Sequence, residues 1–463
     1  MPGKFSALAA ILFACSAAAG AQELPPASGA PRAIDFASDP VLMLGRREAP
    51  RGQFRTFIAA AVEHNPATAE SAATEDEAEA AMRQAREQRL PSIDLTLSSY
   101  RVISREFSND PQNIIERSRA SQRTDALAAI QQTLFDFGVG EHRVRAAAAR
   151  LRAAGADLEA SADQTALNAV AAWYDVFGYR ALVDLTEAFT LGLRELRGAV
   201  QYRIREGVSA EGDLAQVDSY IAQAEARVAR FRRLLAQAEA RFEALTGVPP
   251  PATLERAPVP ALSIASSEQA EEAAGNIAAV RSAQASSDAA ARDARAARAE
   301  MLPQITAGVD AGRYGVFETD RDYDIRGRVT LRQRLFGGIE PRADQFSARA
   351  RAADARALRI RTEAERDAAI AWADVQALEA QRAALEDAYG ASRRSRDVLV
   401  ARFQALRGSL IDVTQAENAF FESATSYIQA LTELDAARYV LLSRTGRLLD
   451  MLGIAPDRLG AAG

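Results

Sequence analysis

From Ile325 to Leu335 the chain alternates. Ile325, Gly327, Val329, Leu331 and Leu335 fall on one side of an extended backbone, and Arg326, Arg328, Thr330, Arg332 and Arg334 on the other. A period of two is the mark of a β-strand with unlike faces. "SIDLTL" does the same, with Ile93, Leu95 and Leu97 against Ser92, Asp94 and Thr96. The strand ending at Leu134-Phe135 alternates less cleanly. Elsewhere the spacing is helical. From Glu141 to Glu206 one helix is predicted, whose seam runs through Val144, Ala148, Leu151, Gly155, Leu158 and Ala162. Steps of four and three with small residues let neighbouring helices approach closely. At 1.5 Å per residue such a helix is about 100 Å long, more than a globular domain needs.

The pattern recurs along the chain. Leu90-Pro91 precedes Leu302-Pro303 by 212 positions, and Leu134-Phe135 precedes Leu335-Phe336 by 201. Trp173 and Trp372, Asp213 and Asp412, and Thr246-Gly247 and Thr445-Gly446 are each separated by 199. The offset shrinks inside the β region, so the first hairpin carries a longer loop. That loop holds "SNDPQN", Ser108 to Asn113, which is good turn chemistry. The order helix, Leu-Pro break, two strands, Leu-Phe break, long helix, turn and return helix therefore occurs twice. The expected division is 53–247 for the first repeat, with strands at about 92–104 and 124–137. A Pro-rich linker at 248–264 follows, then a second repeat at 265–453 with strands at about 304–317 and 323–336. An extension at 22–52 and a tail at 454–463 flank them.

The N-terminus changes where this chain must work. Lys4, the apolar run Phe5 to Ala14 and "AGA" at Ala19 to Ala21 have the form of a secretory signal, 1–21. Cys15 is the only cysteine, so no disulfide is possible. Lipidation of Cys15 is the alternative, although Phe13 fits a lipobox poorly. After residue 22 no run approaches the ~20 apolar residues of a spanning helix. The exported chain is then soluble or crosses a membrane as β structure.

Composition narrows this further. The 463 residues are 48% hydrophobic and 6% aromatic, which suits long helices packed through small side chains. The net charge of −6 gives no basic face for nucleic acid. A half-buried soluble sheet would share the period of two, but four arginines on one strand face call for a wet, spacious lumen. Four strands cannot close such a barrel, and open edges in lipid cost several kcal/mol for each unsatisfied group. The fold class expected is mainly α with a β-barrel contribution: a long α-helical coiled-coil tunnel and four transmembrane strands per chain. A homotrimer would close a twelve-stranded barrel against outer-membrane lipid. Arg326, Arg328, Arg332 and Arg334 would face its lumen.

The paired Leu-Pro strand entries, the Leu-Phe strand exits and two helix-turn-helix tips resemble the TolC family of outer-membrane efflux proteins over nearly all of the mature chain. In that family each tip tends to read R-x3-G-x2-S-x2-D. Here the first tip has Arg203, Gly207, Ala210 and Asp213, and the second has Arg402, Leu406, Ser409 and Asp412. Leu406 departs from the usual glycine, and Gly408 is available to take the turn instead. The resemblance implies a channel in the outer membrane of a Gram-negative bacterium that extends into the periplasm. Its partners would be a periplasmic adaptor and an inner-membrane transporter. The stretch Ser409 to Gly446, through Asp412, Glu417, Asn418 and Tyr439 to Leu442, resembles the branch serving type I protein and adhesin secretion. That branch implies a transporter of the ABC type. Multidrug efflux, with an RND-type transporter, is the alternative.

The same resemblance places a gate at the tips. Asp412 matches the first position of an aspartate ring, and Gln415 stands where the second would be, so the ring is weakened. Asp213 belongs to the same candidate gate. Both aspartates are alternatively simple N-caps of the return helices. Arg203, Gly207, Arg402, Arg407, Gly408 and Ser409 are the candidate tip and adaptor contacts, with solvated helix arginines as the alternative for Arg203 and Arg402.

Enzyme readings find no support. His64 and His142 are the only histidines, and neither has a metal-ligand partner at helical spacing. "GVG" at Gly138 to Gly140 lacks the third glycine of a dinucleotide loop, and "ATEDEAEA" reads as a solvated helix face. No cofactor or metal is expected, and without a P-loop any transport is powered by a partner. The competing class is a soluble periplasmic coiled-coil adaptor or spacer, which would be expected to carry a β-rich domain around a single helical hairpin.

Overall fold

The structure, a computed structural model, describes residues 34–107, 112, 114, 118–319 and 322–455. The expected signal segment with Cys15, most of the Ser108–Asn113 loop and the tail from 456 lie outside the described residues.

The described chain runs α1 (Pro40–Met43), α2 (Arg51–His64), α3 (Pro66–Glu87), β1 (Ser92–Arg101), β2 (Gln122–Phe135), α4 (Val139–Arg205) and α5 (Glu211–Thr246). It continues α6 (Ser267–Ala274), α7 (Ala278–Ala299), β3 (Gln304–Arg313), β4 (Tyr323–Arg332), α8 (Ile339–Gln404), α9 (Leu410–Arg444) and α10 (Leu448–Leu452). The long helices α4 and α8 have 67 and 66 residues, and the return helices α5 and α9 have 36 and 35. Among the described residues no helix is long and apolar enough to cross a membrane.

The chain forms two compact units. One comprises the residues up to Thr68, Ala162–Ala273 and Arg366–Ala455. Its core is aromatic. Phe54 meets Trp173 edge-on at 5.2 Å, and Phe57, Phe242 and Tyr439 close around them. Such pairs add roughly 0.5–1.5 kcal/mol beyond the area they bury. The Pro-rich connector is strapped onto this core. Trp173 Nε1 donates to the Glu255 carbonyl at 3.0 Å, Tyr439 Oη donates to the Pro258 carbonyl at 2.5 Å, and Arg180 Nη1 donates to the Pro251 carbonyl at 2.5 Å. Arg256 makes a buried two-pronged pair with Asp435 at 2.5 and 2.7 Å. Trp372, at the position matching Trp173, is only half-buried.

The second unit comprises Ala69–Ser161 and Ala274–Glu365 among the described residues. Its sheet is antiparallel in the order β1-β2-β3-β4. Pairing puts Ile93 beside Ile130, Val309 beside Ile130, and Ala311 beside Ile325. Opposed residues share a face, so Leu95, Leu97, Ala126, Ala128 and Val329 join the same apolar surface. No described residue covers it: Leu95 is 79% exposed and Val329 73%. β2 carries an irregularity between Thr133 and Phe135.

Several expectations need correction. The strands end about three or four residues short of three of the predicted limits. β4 stops at Arg332, so Arg334 lies beyond the strand, and β2 begins at Gln122. The polar face is of mixed charge rather than Arg-rich. Arg326 pairs with Asp324, Arg328 lies 3.8 Å from Asp310, and Arg123 lies 2.6 Å from Asp125. Asp324 and Asp125 sit two residues from their arginines on the same strand, and antiparallel pairing adds Asp310 of β3 opposite the arginines of β4. The α4 seam is also displaced. Val144, Ala148, Leu151 and Gly155 are half-buried, whereas Ala146, Ala149, Ala153 and Ala156 are buried together with Leu158 and Ala162. The helix buries a face wider than a single heptad stripe.

Candidate functional site

The two helix-turn-helix tips are built alike. At the end of α4, Gly207 N–H donates to the Ile204 carbonyl and Val208 N–H to the Arg203 carbonyl, each at 3.0 Å. At the end of α8, Leu406 N–H donates to the Phe403 carbonyl at 3.1 Å and Arg407 N–H to the Arg402 carbonyl at 2.9 Å. Both are helix C-termini closed through a left-handed residue. Gly207 takes that position with φ +75°, and Leu406 with φ +62°. Gly408 does not take the turn in place of Leu406; it is left-handed as well, with φ +103°. A side chain in that conformation costs about 1–2 kcal/mol, so the second turn is strained where the first is not.

The return helices start differently. α5 has Ala210 at its N-cap, which offers no oxygen. Asp213, three residues on, reaches back and accepts from the Ala210 N–H at 3.2 Å. α9 has Ser409 at its N-cap, and Ser409 Oγ accepts from the Asp412 N–H at 3.2 Å. The capping role therefore falls to Asp213 in the first tip and to Ser409 in the second. The Asp412 carboxylate is exposed, without a hydrogen-bond partner among the described residues, and Gln415 is exposed one turn further along.

Arg203 joins the tips. It is 8% exposed. Its Nε donates to Ser209 Oγ at 3.2 Å, its Nη1 to the Phe403 carbonyl at 3.0 Å, and its Nη2 to the Gly408 carbonyl at 3.5 Å. The guanidinium lies 4.3 Å from the centroid of the Phe403 ring. One side chain thus gives the Phe403 carbonyl a second donor beside the Leu406 N–H, binds the Gly408 carbonyl of the turn and stacks on the last aromatic residue of α8. Arg402, its counterpart by sequence, is exposed, and its side chain engages no partner among the described residues. Arg407 is exposed too.

Behind the second tip lies a cluster that sequence reasoning missed. Arg396 and Asp397 on α8 are buried, with Arg396 Nε 2.6 Å from Asp397 Oδ1. Glu417 on α9 comes to 4.0 Å from Arg396 Nη1, and the Arg396 guanidinium sits 4.2 Å from the centroid of the Phe420 ring. Asp397 Oδ2 has no hydrogen-bond partner. Burial pushes the Glu417 carboxyl up to about 7, helped by Asp397 and Glu195 and opposed by Arg396. Asp397 and Glu417 stand at equal distances either side of Arg407, which is the one signal in the sequence that the hairpin brings them together.

Among the described residues no cluster of histidine, cysteine and acidic side chains has the arrangement to hold a metal. The tips offer exposed charge and two turns packed against each other through Arg203.

Comparison with known proteins gives one consistent answer. Residues 57–248 match the family described as Outer membrane efflux protein. The outer membrane efflux protein BepC of Brucella suis biovar 1 is 24% identical over 346 residues, 72% of this chain and 75% of the relative. The outer membrane protein VceC of Vibrio cholerae superposes with a TM-score of 0.74 at 20% identity, covering 87% of this chain and 97% of VceC. The Campylobacter jejuni CmeC outer membrane channel gives 0.74 at 13% identity, covering 91% and 92%. The open-state MtrE outer membrane channel of Neisseria gonorrhoeae gives 0.70 at 18% identity, covering 85% and 89%.

Proposed function

We propose that this chain is a member of the outer membrane efflux protein family, whose model it matches over residues 57–248, and the exit duct of a tripartite export system. The observation that carries the reading is the four-stranded sheet of β1 to β4. It has one apolar face open along its length and edges at β1 and β4 that no strand among the described residues pairs. Lipid is the solvent for such a face, and pairing with further copies is the remedy for such edges. Three copies supply twelve strands. The polar face, with its balanced arginines and aspartates, then lines a wet passage that binds no cargo tightly.

The tips are the gate and the docking end. Asp412, with Gln415 beside it, supplies one negative charge per chain at the entrance, where charged rings set selectivity. Arg203 holds the first turn against the second, and Asp213 caps. Gly207 and Gly408 shape the turns, Arg402, Arg407 and Ser409 are presented outward, and a periplasmic adaptor under an inner-membrane transporter is the partner they fit.

The segment Ser409 to Gly446 favours a secreted protein or adhesin as cargo, handed over by an ABC-type transporter. The second reading, efflux of small compounds through an RND-type partner, is favoured by the printed description of the sequence relative as an efflux protein. Comparing a deletion strain with its parent for secreted proteins and for drug sensitivity separates the two. The conduit itself is tested by light scattering of the detergent-extracted protein, corrected for bound detergent. A trimer supports it. A monomer stable in water without detergent overturns it in favour of a periplasmic spacer.

A further inference from the structure

We infer that Glu417 is a proton-operated wedge between α8 and α9, neutral while the second tip is packed and loosening it when ionised. The inference starts from a mismatch in the buried cluster. Among the described residues Arg396 is its one cation, and it is already committed to Asp397 at 2.6 Å and to the face of Phe420 at 4.2 Å. Glu417 reaches it only at 4.0 Å, beyond hydrogen-bond length. Asp397 Oδ2 is buried and unpartnered. From α8, therefore, Arg396 and Asp397 face Glu417, and from α4 Glu195 adds a second negative charge. Phe420, a neighbour on α9, offers no charge. A second carboxylate, its side chain 18% exposed and facing one shared guanidinium, is underpaired, and the low-cost state is the one in which it keeps its proton.

The pH window follows. The carboxyl lies near 4.5 when free and at about 7 in the fold. Its folded value is raised, so the fold binds the proton more tightly than the unfolded chain, and stability falls as pH rises from about 4.5 to about 7. Above that, Glu417 is charged inside the packed state and repels Asp397 across the α8–α9 pair. Both residues sit about ten positions from the strained turn at Leu406, so relief is available by parting the helix ends there. The consequence for passage rests on the conduit reading; the loosening does not.

The test uses the full-length protein in detergent. Hydrogen exchange is followed over 396–420 at pH 6 and pH 8, after correction for the intrinsic change in amide exchange rate. The neutral fraction of a group titrating near 7 falls from about nine-tenths to about one-tenth over that interval. Protection should drop roughly tenfold in the wild type and stay level in Glu417→Gln. Glu417→Met, which fills the site without titrating, should also stay level and guards against a Gln variant that packs badly. Equal loss in all three proteins, or no loss in the wild type, overturns the wedge. Conductance in planar bilayers at the same two pH values is read separately. A protection step with unchanged conductance keeps the wedge and removes the tip from the gate.

Discussion

The Arg203 guanidinium lies 4.3 Å from the centroid of the Phe403 ring and donates to the Phe403 carbonyl at 3.0 Å. It is a latch between two turns whose sequences match and whose chemistry differs. Removing it forfeits a partly desolvated cation–π contact and charged hydrogen bonds, together about 2 kcal/mol. Arg203→Ala should raise the single-channel conductance of the reconstituted protein, while Arg402→Ala should leave it unchanged. Equal effects from the two would dissolve the distinction.

Asp412 and Asp213 should separate in the same apparatus. Asp412→Ala should weaken block by multivalent cations, and Gln415→Asp should strengthen it, because the ring then carries two charges per chain. Asp213→Ala should leave block alone and cost about 1 kcal/mol of stability as a lost cap. Thermal melting in detergent reads the second effect.

Leu406 holds a left-handed backbone that glycine adopts freely. Leu406→Gly should stabilise the tip by about 0.5–1 kcal/mol, the relieved strain being partly offset by the greater entropy of glycine in the unfolded chain. A lower melting temperature in this variant would mean that the Leu406 side chain packs usefully in the assembled channel.

The sheet faces can be told apart by charge. Val329→Arg on the apolar face should cost about 2–4 kcal/mol near the bilayer midplane and deplete the protein from the outer-membrane fraction. Thr330→Arg, one residue along and on the polar face, should be tolerated. The measurement is the amount of trimer recovered from membranes for each variant. The reverse order would turn the sheet inside out.

The periodicities together with the internal repeat determined the helical class, the four strands and the identity of the apolar face. Each of these depends on neighbours within one segment, and a period of two or of three to four is written locally. Strand limits were less legible, because Arg334 continues the alternation after the pairing with β3 has ended at Arg332. The tips were located by the motif positions, Arg203 to Asp213 and Arg402 to Asp412, yet their chemistry was not. Arg203 and Arg402 occupy matching positions, and only the packing of one turn against the other buries the first and leaves the second in solvent. Asp310 of β3 beside Arg328 of β4, and Glu417 facing Asp397 and Arg396, were likewise decided by tertiary structure. The charge environment of a side chain is set by residues distant in sequence, and no local pattern records it.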